Sequence, residues 1–156
     1  MNNTKYHLAQ FNIIKLKDHL DSPVIKEFKD FLAPVNQLAE ESLGFIWRLK
    51  DEEGASATDI ETPYNDKLIF VNLSVWLNFE NLKTYSYKTV HSYFLKSRNK
   101  WATKMDGHQV VLWWIPVGEN PSVLQAKEKL DLLNKLGSSP KAFSLNELYS
   151  QDGIKL

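Results

Sequence analysis

Proton-transfer chemistry in this sequence would turn on His91. It lies in NFENLKTYSYKTVHSYFLKSRNKWATKM, whose apolar residues recur at helical spacing, with Tyr87 one turn before it and Arg98 two turns after it on the same flank. A half-buried imidazole near a guanidinium stays neutral, because burial and a like charge both disfavour its cation. A neutral imidazole can act as a general base or hydrogen-bond a phenol. The same position also suits a histidine that only packs against its surroundings. His7, His19 and His108 read as strand-end or loop residues. A second set of groups consists of polar residues placed in apolar strands: Gln10 and Asn12 in YHLAQFNIIKL, Asn72 and Ser74 in LIFVNLSVW. Each costs ~1–3 kcal/mol if buried without a partner, so each is satisfied within the fold or touches a ligand. Arg48, in FIWRL, could hold an anionic or carbonyl group bidentately, or pair with a carboxylate at the sheet edge. Trp47, Trp76, Trp101, Trp113 and Trp114 read first as core. Around a sheet with few charges they would also make an aromatic-lined pocket, the usual style of a small-molecule site, with Trp76 stacking on the ligand.

Several function classes fall away on composition. Nineteen Lys and Arg balance nineteen Asp and Glu, so the basic excess that a nucleic-acid or anionic-membrane partner would want is missing. The cluster Lys96, Arg98, Lys100 and Lys104 reads as a solvated helix face. Without cysteine there is no disulfide, zinc ribbon, iron–sulfur cluster or thiol nucleophile. The six glycines are scattered singly and form no phosphate-cradling loop. The histidines lie far apart with no metal-ligand spacing, so neither a metal nor any other cofactor is expected. No GxSxG elbow is present, and Ser92 projects away from His91, which leaves Ser-His-Asp catalysis unsupported. No apolar run approaches the ~18 residues of a membrane span. The start, MNNTKYHLAQF, lacks a charged region followed by an apolar core, so a cytoplasmic chain is expected.

The elements that must position these groups follow from periodicity. One domain is expected over residues 1–156, with a core over about 5–117, a C-terminal helix over about 121–136 and a tail over 138–156. KYHLAQFNIIKL reads as a strand. In DSPVIKEFKDFLAPVNQLAEESLG, Ser22 can cap a helix, Pro23 fits its first position, Pro34 should kink or split it, and Gly44 can end it. GFIWRL then reads as a strand, with a turn around Asp51–Gly54 and a possible short returning strand. DKLIFVNLSVW is a firmer strand, with Ile69, Val71, Leu73 and Val75 on one aliphatic face. The His91 segment fits a short helix to about Ser86 and a longer one after it, whose stripe carries Tyr87, Val90, Phe94, Trp101 and Met105. HQVVLWWIPVG is a strand. ENPSVLQAKEKLDLLNKLG is a helix capped by Asn120, begun by Pro121 and stopped by Gly137, and Phe143 can pack the tail.

Strand–helix–strand–strand–helix–strand is the ferredoxin-like order, an α+β fold with a four-stranded antiparallel sheet and one added C-terminal helix. Two helices cover only one sheet face, yet VVLWWIPV and LIFVNLSVW are apolar on both. A second copy packed sheet against sheet is the simplest cover, which predicts a homodimer through that face. The alternative is that the C-terminal helix or tail folds across it.

The strings YHLAQFNI, FIWRL, VNLSVW, the helix with Tyr87 and His91, and VLWWIPVG before NPS carry a resemblance over about Tyr6 to Phe143. The chain resembles a family of small bacterial proteins known only as a domain of unknown function. That family is grouped with the dimeric α/β barrel superfamily, which includes the antibiotic-biosynthesis monooxygenases. The resemblance implies a cleft between sheet and helices in each protomer. It also implies a possible cofactor-independent, monooxygenase-like oxidoreductase acting on a hydrophobic, polycyclic or phenolic small molecule. His91 would then be base or proton relay, with Asn12, Arg48, Asn72, Trp76, Tyr87 and Arg98 holding the substrate. Haem-degrading relatives use an Asn on the first strand and a Trp and a His on the helix after the third; this chain offers Asn12 and His91 but no Trp between Phe79 and Val90. The competing expectation is a non-catalytic ligand-binding or dimerisation module.

Overall fold

Strand β1 (Tyr6–Leu16) alternates Leu8, Gln10, Asn12, Ile14 and Leu16 with Ala9, Phe11 and Ile13, and the fold covers both sets. The computed structural model describes residues 5–19, 21–50, 63–90 and 98–156. The chain continues through α1 (Lys26–Glu41), β2 (Phe45–Arg48), β3 (Ile69–Trp76), α2 (Phe79–Val90), α3 (Arg98–Trp101), β4 (Ala102–Thr103), β5 (Val110–Pro116) and α4 (Val123–Leu136). The result is an α+β fold around a five-stranded, wholly antiparallel sheet. β3 lies on one side of β1 with β2 beyond it, while β5 and β4 share the other side. Asn12 stands opposite Asn72 on β3 and opposite Val110 on β5; Gln10 stands opposite Ser74 and Leu112. One sheet face therefore has a polar centre spread over two neighbouring strands.

That polar-centred face lies under α1 and α2. Ile14, Leu16 and Phe70 pack with Phe28 and Leu32 of α1 and with Trp101, while Leu8 and Trp76 pack with Ala39 and Leu82. The opposite face, Ala9, Phe11, Ile13, Val71, Leu73, Val75, Val111, Trp113 and Ile115, packs against Ala126, Leu130 and Leu133 of α4. Each of these strand residues is at most 4% exposed. Full burial of one aliphatic side chain is worth ~1.5–3 kcal/mol, so α4 supplies a large part of the fold's stability. The face on which a homodimer was expected is thus occupied by the chain's own C-terminal helix, and the burial argument for a second copy is met within one chain. The tail closes another surface: Phe143 exchanges both backbone hydrogen bonds with Leu112 at 2.9 Å, and Trp114 Nε1 donates to the Tyr149 carbonyl at 2.9 Å.

Local chemistry revises several expected boundaries. α1 begins at Lys26, because Ser22 and Pro23 form turns whose carbonyls accept from the Ile25 and Lys26 N–H. It runs through Pro34 as one helix; Pro34 and Asp30, whose carbonyl loses its partner, are both exposed, so water can serve that group. Gly44 (φ +83°) does not terminate α1, which ends on extended Ser42. It turns the chain into β2 where a Cβ would collide with the Asn81 side chain. α2 is continuous past Ser86 to Val90, started by Asn78, whose Oδ1 accepts from the Asn81 N–H at 2.9 Å. Ala102 and Thr103, expected as helix, form β4 because they pair with Leu16 and Lys15, beyond the reach of β5. Ser122 rather than Asn120 caps α4, accepting from the Gln125 N–H at 3.1 Å, and Gly137 ends the helix as expected. The returning strand expected after Asp51–Gly54 lies outside the described residues.

Candidate functional site

The polar centre of the sheet opens into a cavity of about 280 Å³ beneath α1 and α2. Its floor is Gln10, Asn12 and Ile14 of β1 with Phe70 and Asn72 of β3. Its roof is Phe28, Leu32 and Val35 of α1 with Leu82, Tyr85 and Ser86 of α2, while Arg98, Val110 and Leu145 close the rim. Helical spacing explains the roof: Phe28, Leu32 and Val35 are four and three residues apart, and Tyr85 and Ser86 follow Leu82 by three and four, so each set shares one face.

The polar residues of this sheet face differ in how they are satisfied. Ser74 Oγ accepts from Trp76 Nε1 at 2.9 Å, a bond wholly inside the protein. Gln10, with its amide oxygen turned to the backbone, accepts from the N–H of Phe11 at 3.0 Å and of Asn12 at 3.2 Å. Asn12 Oδ1 is buried with no hydrogen-bond partner among the described residues. The floor thus carries hydrogen-bonding capacity that the described chain does not use, under a roof that is largely apolar.

Of the residues expected from sequence, the cavity brings together Asn12, Asn72 and Arg98. Arg98 donates through Nη2 to Gln109 Oε1 at 2.6 Å, and Gln109 Nε2 donates in turn to the Met105 carbonyl at 3.2 Å. Arg48 is elsewhere: it is 7% exposed and its Nε donates to Glu40 Oε1 at 2.7 Å, joining β2 to α1. That hydrogen bond is the main reason the Glu40 carboxyl is held below its ordinary range. Trp76 is fully buried behind the cavity, stacked on Tyr85 at 4.8 Å and edge-on to Phe45 at 5.7 Å. Tyr87 is 64% exposed on the outer side of α2. Because α2 does not break at Ser86, Tyr87 sits about 200° around the helix from the lining residue Tyr85. His91 lies outside the described residues.

The aromatic lining comes from Phe28, Phe70 and Tyr85, with no tryptophan among the described lining residues. Phe28 and Phe70 meet edge to face at 5.3 Å. Tyr85 was missed as a site residue, although its position three residues after Leu82 would have placed it on the inner face of a continuous helix. Across the sheet, burial and the charge of Asp131 push the Tyr64 phenol up to about 12, in contact with Lys127 at 5.5 Å from the ring centre. Among the described residues, no three His, Asp or Glu side chains come together as a metal site, and no helix is long and apolar enough to cross a membrane.

The family model described as "Domain of unknown function (DUF3291)" matches residues 7–155. No curated protein and no solved structure matches the chain. By the extent of the family match, the chain belongs to the DUF3291 family.

Proposed function

We propose that this member of the family binds a small, largely apolar molecule of one or two rings in the cavity between the sheet and α1 and α2. The observation that carries the reading is the cavity's make-up: unused amide capacity at Asn12, beside Asn72, faces walls of Phe28, Leu32, Phe70 and Leu82. Small-molecule sites combine such an apolar lining with a few placed polar groups. Size sharpens the ligand class. An engineered cavity of ~150 Å³ holds benzene, so about 280 Å³ matches roughly eleven non-hydrogen atoms, fewer than a four-ring hydrocarbon or a tetrapyrrole has.

The described lining contains no imidazole or carboxylate, and its titratable side chains are Arg98 and Tyr85. Holding a ligand is the function these lining residues support; His91, the proton relay expected for a monooxygenase-like reaction, lies outside the described residues. The reading treats the chain as a ferredoxin-like unit with α4 added. Supporting this are the strand order β2-β3-β1-β5 and a cavity in the sheet–helix cleft, where the dimeric α/β barrel superfamily places its ligands.

Amide-resolved NMR titration with p-cresol, 2-naphthol and the four-ring hydrocarbon pyrene tests this. Shift changes are expected at Asn12, Asn72, Leu32 and Tyr85 with the first two probes and not with pyrene. Shifts scattered over the surface, or none at millimolar p-cresol and 2-naphthol, would overturn the reading.

A further inference from the structure

The chain has two arginines, and the structure uses them differently. Arg48 is joined to the Glu40 carboxylate at 2.7 Å. Arg98 lines the cavity, and its partner there is a neutral amide, Gln109 Oε1 at 2.6 Å. No carboxylate among the described residues lies within ion-pair distance of Arg98, and none lines the cavity. A guanidinium cannot shed its proton in a protein, so a half-buried one retains its charge whatever surrounds it. Desolvating it without an anion is costly, and a charge-assisted hydrogen bond from it is about twice as strong as a neutral one.

Gln109 also gives this cation a fixed place. Its side-chain N–H₂ donates to the Met105 carbonyl at 3.2 Å, and its own carbonyl accepts from the Ile13 N–H on β1 at 3.0 Å. A residue tied to a loop at one end and to the central strand at the other holds the Arg98 fork toward the cavity. One of the fork's five donors is used by Gln109, which leaves donors for a second acceptor. We propose that the cavity's ligand is a monoanionic carboxylate on a small ring, with its carboxylate seated on Arg98 and its ring between Phe28, Phe70 and Leu32. One positive charge balances one negative charge. A dianionic phosphate would leave excess charge against mostly apolar walls, which low-dielectric burial penalises.

The inference rests on the small-molecule reading above, and its test separates the two. Calorimetric titration would compare 4-hydroxyphenylacetate with its neutral amide, 4-hydroxyphenylacetamide, in the wild-type chain and in Arg98→Gln. These probes have about eleven non-hydrogen atoms, the size set by comparison with the benzene cavity. The acid is expected to bind about ten-fold tighter than the amide or more, and the preference to weaken with added salt. In Arg98→Gln the preference should vanish, the acid losing more affinity than the amide; Arg98→Lys should retain part of it.

Equal binding of acid and amide to the wild-type chain would overturn the inference and leave the cavity reading intact. So would an acid preference that survives Arg98→Gln. Failure of acid, amide and p-cresol alike would overturn both. Should Arg98→Gln not fold, the acid–amide comparison in the wild-type chain and its salt dependence decide the matter alone.

Discussion

Two polar residues on the same sheet face should respond to truncation with opposite signs. Asn12 Oδ1 is buried with no partner among the described residues, whereas Ser74 Oγ accepts the indole N–H of Trp76, a residue with no solvent exposure. An unsatisfied buried polar group costs ~1–3 kcal/mol, and Asn12→Leu removes that cost. The leucine also buries apolar surface at ~0.8 kcal/mol per methylene, and the cavity beside it gives room without overpacking. Asn12→Leu is therefore expected to stabilise the ligand-free chain by about 1–3 kcal/mol, which for a domain of this size raises Tm by roughly 2–4 °C per kcal/mol. Ser74→Ala does the reverse: it strands the Trp76 N–H and should destabilise by about 1–3 kcal/mol. Urea unfolding at unchanged m reads both effects. The same Asn12→Leu chain should bind p-cresol more weakly, because its amide is part of the floor. Such a gain in stability at the expense of binding marks a polar group kept for function. A destabilised Asn12→Leu would refute the reasoning, since it would mean that the asparagine is satisfied within the fold.

The remaining predictions concern titration. The Glu40 carboxyl is lowered chiefly by the Arg48 hydrogen bond, so the stability it contributes is present above its ordinary value and lost as pH falls through the lowered folded-state value. Glu40→Gln should consequently lower Tm at neutral pH and differ less from the wild-type chain toward about pH 3; a gap that stays constant with pH would refute the assignment. Tyr64, raised to about 12 by burial and then by Asp131, should be the late component in an ultraviolet titration of the six tyrosines, and Tyr64→Phe should remove it. Because the folded-state value is raised, the associated stability is present below the ordinary value of 10.0 and lost as pH rises toward 12.

Strands were the legible part of the fold, for a physical reason. A period of two is short, so YHLAQFNIIKL and LIFVNLSVW declare both faces within a few residues, and Asn12 and Asn72 stand out as amides in aliphatic surroundings. Pairing then sets them opposite each other, which neither strand reveals alone. Helical phase is less forgiving. Placing a break at Ser86 restarted the phase and turned Tyr87 inward, while the continuous helix to Val90 turns Tyr85 inward instead. An error at one boundary exchanged one tyrosine for its neighbour but one.

The partner of each polar group was the harder thing to read. Arg48 directly follows Trp47 and Arg98 stands between Ser97 and Asn99, and neither local setting names the arginine's partner. What separates them is tertiary: α1 brings Glu40 to Arg48 from eight residues away, whereas Arg98 meets Gln109, eleven residues further on, and no described carboxylate. The apolar second face follows the same logic. A strand pattern states that a face must be covered but not by what, and α4 carries the needed stripe, Ala126, Leu130 and Leu133, at helical spacing. Once that helix is counted as cover for one sheet face, the working surface is the other, where the apolar packing is interrupted by Asn12 Oδ1, unpartnered among the described residues, and by the Arg98 guanidinium.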